Sequence, residues 1–104
     1  MKKWEVIFTD VAESELDDIY IYISTVLLEP EIAGNQIARI LKSALSLEQM
    51  PERHPLYELE PWRSKGVRTL PVDNYIIFYH AISNDDVVFI DHVFYGGRDF
   101  EHLL

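Results

Sequence analysis

The residues best equipped for chemistry gather late in the chain: Arg63, Lys65 and Arg68, then His92, Tyr95 and Arg98. Cleaving RNA without a metal needs a group to help deprotonate a 2′-hydroxyl, a group to protonate the leaving oxygen, and cations to steady the crowded phosphate. Histidine or tyrosine can serve the first two needs and arginine the third. Arg68, Tyr95 and His92 are therefore a candidate catalytic set, with Arg63, Lys65 and Arg98 as candidate phosphate- or target-binding cations. The rival reading is structural. Tyr95 and His92 cap a sheet, and Arg98 pairs with Asp99 or Glu101. Spacing alone leaves both readings open.

Charge sharpens the question. The 104 residues carry a formal net charge of −9, distributed unevenly. Residues 61–83 hold Arg63, Lys65 and Arg68 against Asp73 alone and form the only net-basic stretch, whereas acidic residues outnumber basic ones on either side. An acidic protein is a poor non-specific binder of nucleic acid, because affinity for phosphate comes largely from released counterions. A small basic island can still hold one phosphate or carboxylate. Equally, three exposed cations can simply keep a sheet soluble.

Other chemistries lack their residues. The chain has no cysteine, hence no disulfide framework, thiolate metal site or thiol nucleophile, which fits a cytoplasmic protein. His54, His80, His92 and His102 are scattered without metal-ligand spacing. His80 and His92 fall on adjacent predicted strands and can meet across a sheet, but two strand histidines alone are a weak metal signal. No phosphate-binding glycine loop, HExxH or GxSxG motif is present. Neither a metal nor a cofactor is expected. The polar start is no signal peptide, and no apolar run approaches the roughly 20 residues of a membrane helix.

The elements that must position these residues read clearly. Lys2–Phe8 alternates as a first strand. Asp10, with Glu13 three residues on, predicts the start of a helix whose apolar stripe is Ala12, Leu16, Ile19, Ile23 and Val26. Pro30 suits the first turn of a second helix with the stripe Ala33, Ile37, Ile40, Leu41, Ala44 and Leu47, ended by Pro51. Gly34 within it is either a point of close helix approach or a tolerated weakness. The segment 51–66 has three prolines and no period, and its Leu56, Tyr57, Leu59 and Trp62 are expected anchors. Three strands follow, at 67–72, 75–82 and 87–95. They are joined by Asp73-Asn74 and by the polar turn 83–86, and together predict an antiparallel meander. After Gly96-Gly97 comes a short tail. The whole is expected to be one α+β domain over 1–104, an N-terminal strand and an αα-hairpin packed on the sheet in the order β-α-α-β-β-β.

With these residues in view, the chain resembles the RelE/ParE superfamily of bacterial toxins. VRTLPVDNYIIFYHA resembles that family's strand pair, HVFYGGRDFEHLL its closing segment, and VIFTDVAESELDDIYIYIS its strand-to-helix opening. The resemblance covers essentially the whole chain. It implies a growth-inhibiting toxin of a type II toxin–antitoxin (plasmid stabilisation, addiction) module, held silent in a heteromeric complex with a small cognate antitoxin. RelE-like members cut mRNA on the ribosome; ParE-like members bind DNA gyrase and trap its cleaved complex.

Residue by residue, Arg68 matches the strand arginine of the nucleases, Tyr95 lies near their terminal tyrosine, and His92 stands where the family often has arginine. The acidic charge and the absent lysine cluster depart from the nucleases, and the Arg98-Asp99 ending is closer to ParE-like members. The expectation that follows puts gyrase inhibition first, mRNA cleavage second and a non-toxic, partner-binding relative third. Acidity further predicts that the antitoxin's binding segment is rich in Lys or Arg. That segment is expected as an added helix or strand on the sheet edge or in the groove beside the helices, silencing the toxin either by covering the 63–68 island or allosterically.

Overall fold

The computed structural model describes residues 3–96, so Arg98 and the tail lie outside the described residues. The chain opens with β1 (Glu5–Phe8) and α1 (Asp10–Ile21), which runs on through a π-helical turn at Tyr22–Val26. Then come α2 (Pro30–Leu45), two short 3-10 turns at Ser46–Glu48 and Pro51–Arg53, and the strands β2 (Arg68–Val72), β3 (Tyr75–Ile82) and β4 (Val87–Tyr95).

Thr9, rather than Asp10, caps α1. Its hydroxyl accepts from the Ala12 N–H at 3.1 Å and donates to the Ile90 carbonyl at 3.0 Å, tying the helix start to the sheet. Asp10 instead occupies the first turn, where with Glu13 it complements the helix dipole. Ala12, Leu16 and Ile23 are buried as the stripe predicts, but Val26 is exposed. The reason is the π turn, whose Leu27 N–H reaches back five residues to the Tyr22 carbonyl and so shifts the phase of the stripe. In α2, Ala33, Ile40 and Ala44 are buried along with Gln36, which the apolar pattern did not include. Gln36 Nε2 donates to Asp73 Oδ2 at 3.0 Å, and Arg39 Nε to the same oxygen at 2.7 Å. These two bonds hold the Asp carboxyl below its ordinary range and fasten α2 to the β2–β3 turn. A Cβ built on Gly34 would meet nothing within 4 Å, so this glycine faces open space and allows no close approach.

The four strands form one sheet in the order β1-β4-β3-β2. Its meander is antiparallel, with Arg68 opposite Tyr79 and Tyr75 opposite Tyr95. The sheet as a whole is mixed rather than wholly antiparallel, because β1 lies parallel to β4, Glu5 beside Val87 and Phe8 beside Ile90. A parallel return needs a long crossover, which the two helices and the segment after them supply. Between β3 and β4 the register slips: Phe78 faces His92 and Tyr79 faces Ile90, leaving Asp91 unopposed in a bulge.

Apolar side chains cover both faces of the sheet. On one face Leu16, Ile40, Leu47, Ile77, Tyr79 and Ile90 are among those packed between sheet and helices. On the other, Phe78 and Phe94 pack with Val67 and Tyr57, and Trp62 leans against them. The segment 51–66 thus supplies Tyr57 and Trp62 as expected, whereas Leu59 stays exposed.

Candidate functional site

Alternation decides which face each candidate residue serves. Arg68, Leu70 and Val72 share a face, and Leu70 and Val72 pack with the helical core. Arg68 therefore turns toward the helical side, where its Nη1 donates to the His54 carbonyl at 2.7 Å. The Tyr79 hydroxyl beside it donates to the Pro51 carbonyl at 2.6 Å, and burial pushes that phenol up to about 12. Burial, followed by Arg53 and Arg68, holds the His54 imidazole below its ordinary value. Arg68 is thus built into a structural corner.

Tyr95 sits at the other end of the meander. It faces Tyr75, which faces Val72, four positions from Arg68, or about 13 Å along the strands at ~3.3 Å per residue. Its ring meets Tyr75 edge-on at 5.8 Å. His92 points to the opposite face from Arg68, stacked on Phe94 at 4.7 Å. Arg68, Tyr95 and His92 are not brought together.

A different set is. On the face away from the helices a cavity of about 320 Å3 is lined by Trp62, Lys65, Phe78, His80, Asp91 and His92. His80 Nδ1 lies 2.6 Å from Asp91 Oδ2, and its ring stacks on Phe89 at 5.5 Å. His92 Nδ1 lies 3.2 Å from both carboxylate oxygens of Glu15 on α1. An ionised carboxylate only accepts, so each Nδ1 donates to its carboxylate and each ring is held in one orientation. Burial raises the Asp91 carboxyl, opposed by the His80 contact. Lys65 makes no ion pair among the described residues and supplies a cation at the cavity wall. Two oriented imidazoles, one ammonium and an indole form a set suited to an anionic, aromatic ligand such as a nucleotide unit. Arg63 lies on the exposed turn above, next to Glu60.

Sequence reading identified Lys65 and His92 here but not Asp91 or Glu15. Asp91 enters through the bulge, which no local pattern announces. Glu15 lies outside the apolar stripe of its helix and reaches His92 only through the packing of α1 on β4. No group of three or more His, Cys, Asp or Glu among the described residues can hold a metal ion. Nor is any helix among them long and apolar enough to cross a membrane.

A second concavity, about 800 Å3, opens between the helical hairpin and the end of the sheet. Ile19, Tyr22, Leu27, Ile32, Tyr75 and Tyr95 line its apolar part, and Glu15 and Asp18 its acidic part. Tyr22, Leu27, Ile32 and Tyr95 are each about half exposed, an unusual concentration of bare apolar surface.

The family model described as the ParE toxin of the type II toxin–antitoxin system parDE matches residues 6–100. Among solved structures, a chain of the chromosomal ParDE system from P. aeruginosa is 22% identical, with a TM-score of 0.74 over 91% of this chain and 98% of that one. A chain of the RelBE2 toxin–antitoxin complex from Mycobacterium tuberculosis is 23% identical, with a TM-score of 0.64 over 91% of this chain and 93% of that one. No curated protein sequence matches. At such identities the structural likeness is one of fold.

Proposed function

This chain belongs to the ParE toxin family of type II toxin–antitoxin systems, and we propose that it arrests growth by binding DNA gyrase, with a cognate antitoxin holding it silent. The observation that carries the choice of target is the separation of Arg68 from Tyr95 and His92. A ribosome-dependent nuclease built on those three groups needs them around one phosphate. Here Arg68 supports the His54 backbone on the helical side, and Tyr95 stands at the far end of the sheet. The net charge of −9 also opposes docking on ribosomal RNA. A protein that works by binding a target enzyme needs neither convergence nor a basic surface.

The test uses purified gyrase and supercoiled plasmid. With the toxin present, detergent and protease treatment should release linear plasmid, and expression without the antitoxin should induce the DNA damage response while mRNA stays intact. Arrest with intact DNA and mRNA cut within codons would overturn the gyrase reading.

One observation favours a second reading. The His80–Asp91 and His92–Glu15 pairs beside Lys65 are the parts of an acid–base centre for RNA cleavage, assembled from a different set than Arg68 and Tyr95. Under that reading, His80→Ala and Lys65→Ala abolish toxicity and mRNA cutting together. Under the gyrase reading, neither variant cleaves RNA any less than the parent, because the parent cleaves none.

A further inference from the structure

The strap formed by residues 51–66 is stapled to the sheet at its near end through its backbone. The Pro51 carbonyl accepts from the Tyr79 hydroxyl, the His54 carbonyl from Arg68 Nη1, and the Pro55 carbonyl from the Thr69 N–H at 3.2 Å. Tyr57 N–H then donates to the Val67 carbonyl at 2.8 Å, and Leu56 forms a single antiparallel bridge with Arg68. Left-handed backbone stands at both ends of the strap, at Met50 with φ 49° and at Gly66 with φ 79°. Glycine adopts that conformation freely, whereas methionine is strained in it. Each end is therefore a pivot, and only the staples hold the strap between them.

The His54 ring lies among these staples. Its Nε2 is sealed from solvent and has no hydrogen-bond partner among the described residues. The ring stands edge-on to Tyr79, with centroids 6.4 Å apart. Arg53 on the strap and Arg68 on β2 face it with positive charge, and β3 offers only the Tyr79 phenol. Glu52 bears on Tyr79, and no carboxylate among the described residues forms an ion pair with His54. Neither guanidinium is free to swing away. Arg53 bonds the Gln49 and Met50 carbonyls and the Ser46 hydroxyl, and Arg68 is held by the carbonyl of His54 itself. An imidazolium has two N–H donors. A proton taken up here adds a third cation to a corner with two fixed ones, and at Nε2 a buried donor with no acceptor.

We infer that His54 is a proton-operated latch: charging of its ring releases residues 51–66 from β2 and β3 while the helices and the rest of the sheet stay folded. Such a local opening breaks the contacts of one segment only. Trp62 and Lys65 ride on the strap and line the cavity on the other face, so release removes a wall of that cavity and bares the Thr69 N–H on the β2 edge. The sign follows from the depressed protonation of the closed corner. Neutral His54 stabilises the closed strap fully above the ordinary histidine value of about 6.5, and this stabilisation fades as pH falls, because the open strap takes up the proton more readily.

The test is amide exchange on the full chain, expressed as protection factors so that the intrinsic pH dependence of exchange is removed. Between about pH 7.5 and 5.5, protection at Thr69 and Tyr57 should fall roughly fivefold to tenfold, the linkage expected of one proton. Thr9 N–H, which bonds the Ile90 carbonyl at the start of α1, should keep its protection. His54→Phe keeps a ring against Tyr79 but cannot titrate, and should level the response at Thr69 and Tyr57. His54→Gln, also without a titrating ring, makes the same comparison where the phenylalanine variant fails to fold. In the parent chain the His54 ring signals should titrate in step with the loss at Thr69. Ring titration without that loss, or a loss that persists in a folded variant, would overturn the latch. Equal loss at Thr9 would also overturn it, since the whole fold rather than the strap would then be opening.

Discussion

The two faces of the sheet are both apolar, yet they are finished in opposite ways. On the helical face the polar atoms are spent on structure. Tyr79 and Arg68 hold the carbonyls of Pro51 and His54, and Gln36 with Arg39 pins the Asp73 turn. On the other face Phe78 and Phe94 make a comparable floor, but the polar groups upon it line a cavity and, in Lys65, leave a cation without an ion-pair partner among the described residues. The lesson is that polar groups on one side mainly fasten distant segments together, whereas those on the other side line an accessible cavity.

Substitutions can break that contrast. The largest effect belongs to the helical face. Ile40 is fully buried, and Ile40→Ala should cost about 2–5 kcal/mol in chemical denaturation. A smaller loss would mean that the helices rest loosely on the sheet. Tyr79→Phe comes next at about 1–2 kcal/mol, because it strands the Pro51 carbonyl. The same phenol gives a pH signature. Its ionisation is raised to about 12 from an ordinary value of about 10, so the folded state favours the protonated form. This stabilisation is complete below pH ~10 and is lost as pH rises through about 12. Tyr79→Phe should flatten that alkaline loss in denaturation curves collected across this range.

A gain of about 0.5–1 kcal/mol is expected from Gly34→Ala, since the helical glycine faces open space and costs backbone entropy without serving a contact. Destabilisation there would show that α2 packs more closely at this point than its open surroundings imply. The smallest change in stability, within about 0.5 kcal/mol, is expected for Lys65→Ala on the exposed wall of the cavity. A large loss of stability in that variant would erase the distinction between the faces.

Much of this architecture was legible in the residues. The β3 and β4 boundaries, the Asp73-Asn74 turn and Pro30 at the start of α2 follow from local chemistry, and the structure reproduces them. Even the fate of Arg68 was written in its spacing from Leu70 and Val72, which assigns it to the core side. The parallel docking of β1, the π turn that frees Val26 and the bulge that delivers Asp91 to His80 depend on contacts between distant segments, so no short window contains them. The candidate site suffered most, because two of its carboxylates, Glu15 and Asp91, reach it through those long-range arrangements.

The placement of β4 has a consequence for biosynthesis. It is the last described strand, yet it pairs with both β1 and β3, so residues 5–8 wait for residues 87–90 before the sheet can close. A nascent chain, or one truncated before Val87, holds helices and a hairpin but lacks the strand that joins them. Closure of the sheet is thereby withheld until residues 87–90 have been made, and an interrupted message yields fragments without a finished sheet.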